Sequence, residues 1–212
     1  DDEKHVENAA WCQAQYAIEV FAAMMNQGDE LMVYPMCPIK IGSSTYSYNG
    51  NPLIITSDAQ KQSIHNIQTD HSLETDTPIE SVTAAHNGLK KKTGEKWLIV
   101  LTDGKKYYKD KKELNESDTK KLLETTLADC VTDENVMYLG IGSDIQPPQV
   151  MSGDMIYYSN KVDSKNVPTA LTEMCNMIFG RDVLPKSNYT SNSVTFDIPL
   201  SKLFVFIQGK DV

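Results

Sequence analysis

An unbroken apolar run, Trp97 to Leu101, is followed at once by Thr102, Asp103 and Gly104, so a carboxylate stands where a buried strand stops. A short run of this kind closed by Asp-Gly reads as a strand covered on both faces, as in the middle of a parallel sheet. Asp103 then lies at the carboxyl end of that strand, the edge where loops converge and open α/β sheets bind their ligands. Ser143 and Asp144 end a second such run, "VMYLGIGSD", and are read as loop residues at the same edge. The basic stretch Lys105 to Lys112, "KKYYKDKK", follows Asp103 directly. It reads either as a solvated loop or as positive charge that draws an acidic ligand to the edge. Asp-Gly after a strand is also an ordinary turn signal, so the bland reading of Asp103 stands beside the sharp one.

Hydrolytic arrangements are missing from the sequence: there is no Gly-x-Ser-x-Gly elbow, no phosphate-binding glycine loop and no carboxylate pair with a plausible base. His86 falls on the apolar stripe of Ile79, Val82 and Leu89 and reads as a core or boundary histidine. Cys12, Cys37, Cys130 and Cys175 are scattered, without a C-x-x-C pair or a histidine at metal-ligand spacing. They are expected as buried free thiols rather than a zinc site, with disulfide pairing left open by their even number. Catalysis is therefore not expected.

The elements that must place Asp103 follow from periodicity. Apolar residues at Val6, Ala10, Ala14, Ala17, Phe21 and Met24 step by three and four and mark one face of a helix over 5–27, with Gly28 at its end. "ELMVYPM" reads as a strand and "GSSTYSYNGNP" as a loop or hairpin, and Ser57 with Gln60 has the form of a capping box. In "TDTPIESVTAAHNGLKKKTG", Thr77 is expected as the N-cap, Pro78 in the first turn, Glu80 closing the box and Gly94 beyond the end. After the strand at 97–102 come a helix in "SDTKKLLETTLADC", a buried strand in "NVMYLGIGSD", a short strand in "MIYYS" and a last helix in "PTALTEMCNMIFG". Strands alternating with helices call for parallel pairing with helices on both faces. Residues 1–184 form this α/β domain. Residues 185–212 hold two β runs, "NSVTFDIP" and "KLFVFIQGKDV", read as the start of a further β module or an edge hairpin.

Composition bounds the partners. The 212 residues suffice for one sizeable domain, and a net charge of −9 lacks the broad basic face that nucleic acid or an anionic membrane demands. No apolar stretch approaches the roughly 20 residues of a membrane helix. The start, "DDEKHVEN", lacks an initiator Met and a signal-peptide core, so further residues are expected upstream. The sequons at Asn115 and Asn188 carry weight only in a secreted eukaryotic protein.

Taken in order, the long amphipathic helix running into "GDELMVYPM", the Thr-Pro helix start at "TDTPI", the strand "LIVLTDG" and the strand "VMYLGIGSD" resemble a von Willebrand factor type A domain. The resemblance extends through "GDMIYYSNKVDSKNVPTALTEMCNMIFG" and covers roughly residues 5–182. It implies a doubly wound, mostly parallel, Rossmann-like sheet and a metal-ion-dependent adhesion site, in which three loops at the carboxyl edge hold Mg²⁺. Thr77 matches the hydroxyl ligand of the second loop and Asp103 the carboxylate of the third. The Asp-x-Ser-x-Ser of the first loop, with its strand, has no counterpart here and is expected upstream of Asp1. The function implied is a metal-dependent binding module for an acidic protein or glycan ligand, on a surface or secreted protein. Two rivals are a similar intracellular subunit beside an AAA-type ATPase and a metal-dependent Rossmann-like hydrolase using Asp103.

Overall fold

The computed structural model describes residues 2–69, 77–102, 107–141, 155–162, 167–181, 188, 190 and 193–196, with backbone alone for 2–11, 68–69 and 155–162. Helix α1 (Asp2–Met24) leads into β1 (Leu31–Val33), β2 (Ile39–Ile41), β3 (Ser44–Tyr46) and β4 (Leu53–Ile55). Helix α2 (Asp58–Ser63) and a 3₁₀ turn (Ile64–Asn66) precede β5 (Gln68–Thr69). Then follow α3 (Glu80–Lys90), β6 (Trp97–Thr102), β7 (Tyr108–Lys109), β8 (Lys112–Glu113), α4 (Glu116–Cys130), β9 (Asn135–Ile141), β10 (Met155–Val162) and α5 (Val167–Phe179). The described residues thus form a mixed α/β structure with five helices and four small sheets, one of them parallel.

The two apolar runs pair as expected. β6 lies parallel to β9 from Trp97 opposite Asn135 to Thr102 opposite Gly140, and β10 lies parallel to the other side of β9. Side chains alternate across a strand, and here each alternate set finds its own helices. Leu98, Val100, Val136 and Tyr138 pack with Val82 of α3 and with Leu123, Leu127 and Cys130 of α4. Met137 and Leu139, with Ile99 and Leu101 beside them, pack with Ala17, Val20 and Phe21 of α1 and with Leu171 and Met174 of α5. Each fully buried apolar side chain is worth about 1.5–3 kcal/mol relative to exposure, so neither face of β9 can be left open to water.

Parallel pairing does not extend to the amino-terminal strands. β1 pairs antiparallel with β4, and β2 pairs antiparallel with both β3 and β5. The connections explain this: Gly42 and Ser43 alone join β2 to β3, and a two-residue loop can only reverse the chain. Gly42 has φ +60, which its missing Cβ permits without strain. β4 was not foreseen from the sequence. It supplies Leu53 and Ile55, which with Ile39, Ile64 and Ile67 form a third cluster against Ala22 of α1 and Met25 just beyond its end. α1 therefore packs on two sides, the parallel sheet and this smaller β layer.

Local signals were met unevenly. The Ser57–Gln60 capping box is present in full. At α3, by contrast, Ile79 is the N-cap and no side chain caps the helix, so Thr77 and Glu80 do not form the expected box. The α1 helix stops at Met24, before the expected 27, and Gly28, at φ +97, stands in the turn beyond. Of residues 185–212, the described ones make a tight reversal in which the Thr190 and Thr195 amides donate to the Ser193 and Asn188 carbonyls. The run "KLFVFIQGKDV" and half of "NSVTFDIP" lie outside the described residues. Among the described residues no helix is long and apolar enough to cross a membrane.

Arg181 ties the end of α5 to the end of α1. Its Nη2 donates to the Met24 carbonyl at 2.7 Å and to Asn26 Oδ1 at 2.9 Å, and its guanidinium lies 5.2 Å from the Phe179 ring centroid. A cation at a helix carboxyl end meets both an orphan carbonyl and the negative end of the helix dipole. Arg181→Met should lower the unfolding free energy by about 1.5–3 kcal/mol in denaturant titration. Lys120→Met, which removes only an exposed pair with Glu124 at 3.9 Å, should change it by less than about 0.5 kcal/mol.

Candidate functional site

The carboxyl edge of the parallel sheet is organised by a buried tyrosine. Thr102 ends β6 with its side chain buried, and Tyr107 brings the chain back beneath that edge. The Tyr107 hydroxyl meets the Tyr138 hydroxyl at 3.2 Å and the Thr102 side chain, and its amide donates to Thr119 Oγ1 at 3.1 Å. Burial, followed by the neighbouring Tyr138, holds the Tyr107 hydroxyl well above the ordinary tyrosine range. Part of the "KKYYKDKK" stretch is thus core, and the reading of a wholly solvated loop fails at Tyr107. Tyr108 to Lys112 belong to the β7–β8 hairpin, whose two turn residues, Asp110 and Lys111, both have positive φ, at 51° and 63°. Glu80, free of the expected cap, supports that turn by accepting from the Asp110 amide at 2.9 Å.

Thr77 is drawn to this edge by its backbone. The Tyr108 amide donates to the Thr77 carbonyl at 2.8 Å, the Ile79 amide donates to the Tyr108 carbonyl at 3.0 Å, and Pro78 forms a parallel bridge with Tyr108. The Thr77 segment therefore runs alongside the chain that returns from β6. Asp103, the other expected site residue, lies outside the described residues, as do Lys105, Lys106, Ser143 and Asp144.

A second constellation stands at the opposite, amino edge. His86 projects from α3, Cys130 is the last residue of α4, and Glu134 occupies the turn into β9. That turn is set by the Asp133 and Glu134 amides, which donate to the Cys130 carbonyl at 3.0 and 3.1 Å, and by the Asn135 amide, which donates to the Lys96 carbonyl at 3.0 Å. All three side chains are buried, and one ligand atom from each lies within 4.8 Å of the others. Among the described residues this group could hold a metal ion. His86 Nδ1 lies 2.5 Å from Glu134 Oε1, and His86 Nε2 lies 3.7 Å from Asp133 Oδ2. Lys90 Nζ, 3.1 Å from the same Asp133 oxygen, holds the Asp133 carboxyl below its usual range. The Cys130 thiol donates to the Thr126 carbonyl at 3.1 Å, and burial, then the charge of Glu134, pushes it up to about 12. Glu134 Oε2 is buried with no hydrogen-bond partner, although an ionised carboxylate normally satisfies both oxygens when it leaves water.

His86 is buried as its place on an apolar stripe implied, and Cys130, which has no metal-ligand spacing in the sequence, stands in a buried group that could hold a metal ion. Spacing along the chain could not show it, because strand β6, the β7–β8 hairpin and the length of helix α4 lie between His86 and Cys130. The signal present in the sequence is an acidic pair, Asp133-Glu134, directly before a buried strand, with a cysteine ending the helix in front of it.

None of the four cysteines, all among the described residues, forms a disulfide; Cys130 and Cys175 are buried, Cys37 is partly exposed and Cys12 is exposed. Burial also pushes the Cys175 thiol up to about 12. Since the thiolate is the reactive form, iodoacetamide at pH 8 should label Cys12 in the native chain. It should leave Cys130 and Cys175 at least about a hundredfold slower until denaturant is added, as peptide mass mapping would show. The sign of the alkaline effect follows: the contribution of these neutral thiols is complete below about pH 8.5, the unfolded value, and is lost as pH rises towards 12.

Compared with protein-family models, with curated proteins and with solved structures, the chain matches none.

Proposed function

We propose that the chain is a ligand-binding module of von Willebrand factor A type, built on a doubly wound, mostly parallel sheet. It engages an acidic protein or glycan at the carboxyl edge without turning it over, on a surface or secreted protein. The observation that carries this reading is the backbone pairing of Thr77 with Tyr108, which sets a hydroxyl-bearing segment beside the chain returning from β6. Two further features support it. Among the described residues β6 is the outer strand of the parallel sheet, the position beside which the additional strand of such a domain would lie. Lys109, Lys111 and Lys112 are exposed beside Thr77 and give the edge positive charge in an otherwise acidic chain.

In this reading Thr77 and Asp103 would hold a divalent cation of Mg²⁺ type, whose chemistry is to accept an acidic group of the partner as a further oxygen ligand. The donor types suit it, since a hydroxyl and a carboxylate are hard oxygens, and Thr77 is not occupied as the cap of α3. The donor number is small. One neutral and one charged oxygen leave most of an octahedral shell to water and the partner, so affinity in this chain is weak.

Thermal unfolding with millimolar Mg²⁺ checks the proposal: the melting temperature should rise by about 2–4 °C, the shift expected when the ion is a few times its Kd. Asp103→Ala and Thr77→Ala should each remove the rise. An equal rise in Asp103→Ala, or no rise in the unaltered chain, would count against a cation at this edge.

A further inference from the structure

We propose that His86, Cys130 and Glu134 form a second, independent metal site at the amino edge of the sheet, selective for a borderline transition-metal ion of the Zn²⁺ type. Nitrogen, sulfur and carboxylate oxygen together are the donor set of Zn²⁺, and a thiolate excludes Mg²⁺ and Ca²⁺, which take oxygen ligands. The ligand atoms already lie within 4.8 Å of one another, while the ligands of a tetrahedral Zn²⁺ stand about 3.3–3.8 Å apart, as bond lengths of 2.0–2.3 Å require. Little contraction is therefore needed.

The independent observation is the orphaned oxygen. Glu134 has a fully buried side chain whose Oε1 is held by His86 and whose Oε2 has no partner. A hydrogen bond to His86 accounts for one oxygen of this carboxylate and leaves the other uncompensated. A cation beside it compensates both. Glu134 Oε1 and His86 Nδ1, at 2.5 Å, are too close to ligate one ion as they stand. The terminal torsion of a glutamate is soft, so rotation can present Oε2 to the ion and open that contact.

The outer contacts complete the arrangement. When Nδ1 ligates, the imidazole proton resides on Nε2, which faces Asp133 Oδ2 at 3.7 Å; that carboxylate is itself anchored by Lys90 at 3.1 Å. A carboxylate behind a ligating histidine is the usual means of orienting the ring. Binding releases the Cys130 thiol proton to solvent, and a water supplies the fourth ligand. Because the donors come from α3, α4 and the turn into β9, the ion would join three elements at the end of the sheet.

The test uses the full chain after chelator treatment, in a Cys12→Ser/Cys37→Ser background so that no exposed thiol contributes. With Zn²⁺ at about a hundred times Kd the melting temperature should rise by about 5–10 °C. One ion per chain should remain after gel filtration. Co²⁺ should give thiolate-to-metal charge-transfer absorption. Cys130→Ser and Glu134→Gln should abolish the rise, whereas Asp103→Ala, which removes the carboxyl-edge site, should leave it intact. If a variant fails to fold, the Co²⁺ spectrum of the background chain decides. Lack of thiolate absorption, or Zn²⁺ stabilisation that survives in Cys130→Ser, would overturn the site and leave a metal-free His86–Glu134 pair.

Discussion

Strand β9 is buried on both faces, and the arrangement of the described elements from α3 to α5 depends on that. Val136, Met137 and Leu139 are wholly buried and Tyr138 nearly so, with successive side chains entering opposite cores. Such a strand cannot lie at the surface or in a sheet with one wet face. It requires a strand at each side and helices above and below, and β6, β10, α1, α3, α4 and α5 provide them. Once β9 is central, the parallel direction follows from α4, which carries the chain back along the sheet between β6 and β9.

This constraint separates two kinds of chemistry. At the carboxyl end of β6 the chain presents Thr77, with exposed Lys109, Lys111 and Lys112 in the hairpin that follows, while Thr102, buried against Tyr107, ends the strand. At the amino ends it gathers His86, Cys130 and Glu134 out of water, with Asp133 and Lys90 behind them. Hard oxygens near solvent suit a cation that keeps its waters and shares them with a ligand. Imidazole and thiol in a buried pocket suit an ion that sheds its waters and ties elements together. A binding edge that meets partners and a stapled edge that holds the scaffold are compatible roles for opposite ends of one sheet.

Much of the scaffold was legible because its signals are local. The apolar runs at 97–101 and 136–141, the capping box at Ser57 and Gln60, and the glycine at 180 after the last helix each depend on neighbours in sequence, and each was met. Thr77 was misread because a threonine before proline is a frequent cap. What competes is the Tyr108 backbone, which holds Thr77 in an extended segment so that α3 starts only at Glu80. β4 was missed because Leu53 to Ile55 is too short to show a period, and it becomes a strand only by pairing with β1. The amino-edge cluster was invisible for a stronger reason. Its members meet through tertiary packing alone, and ligand spacing reports sites built within one loop or helix, not between α3 and the end of α4.

The claim that the sheet keeps its oxygen-donor edge and its nitrogen–sulfur edge apart is open to one direct measurement. Mn²⁺, a paramagnetic ion with the oxygen preference of Mg²⁺, broadens the amide resonances of residues near it even when it binds weakly. Titrated into the isotopically labelled chain, it should broaden Thr77, Thr102 and Tyr108 first and leave His86, Cys130 and Asn135 sharp. Broadening that begins at His86 and Cys130, with Thr77 and Thr102 unaffected, would contradict the assignment of the hard-cation site to the carboxyl edge.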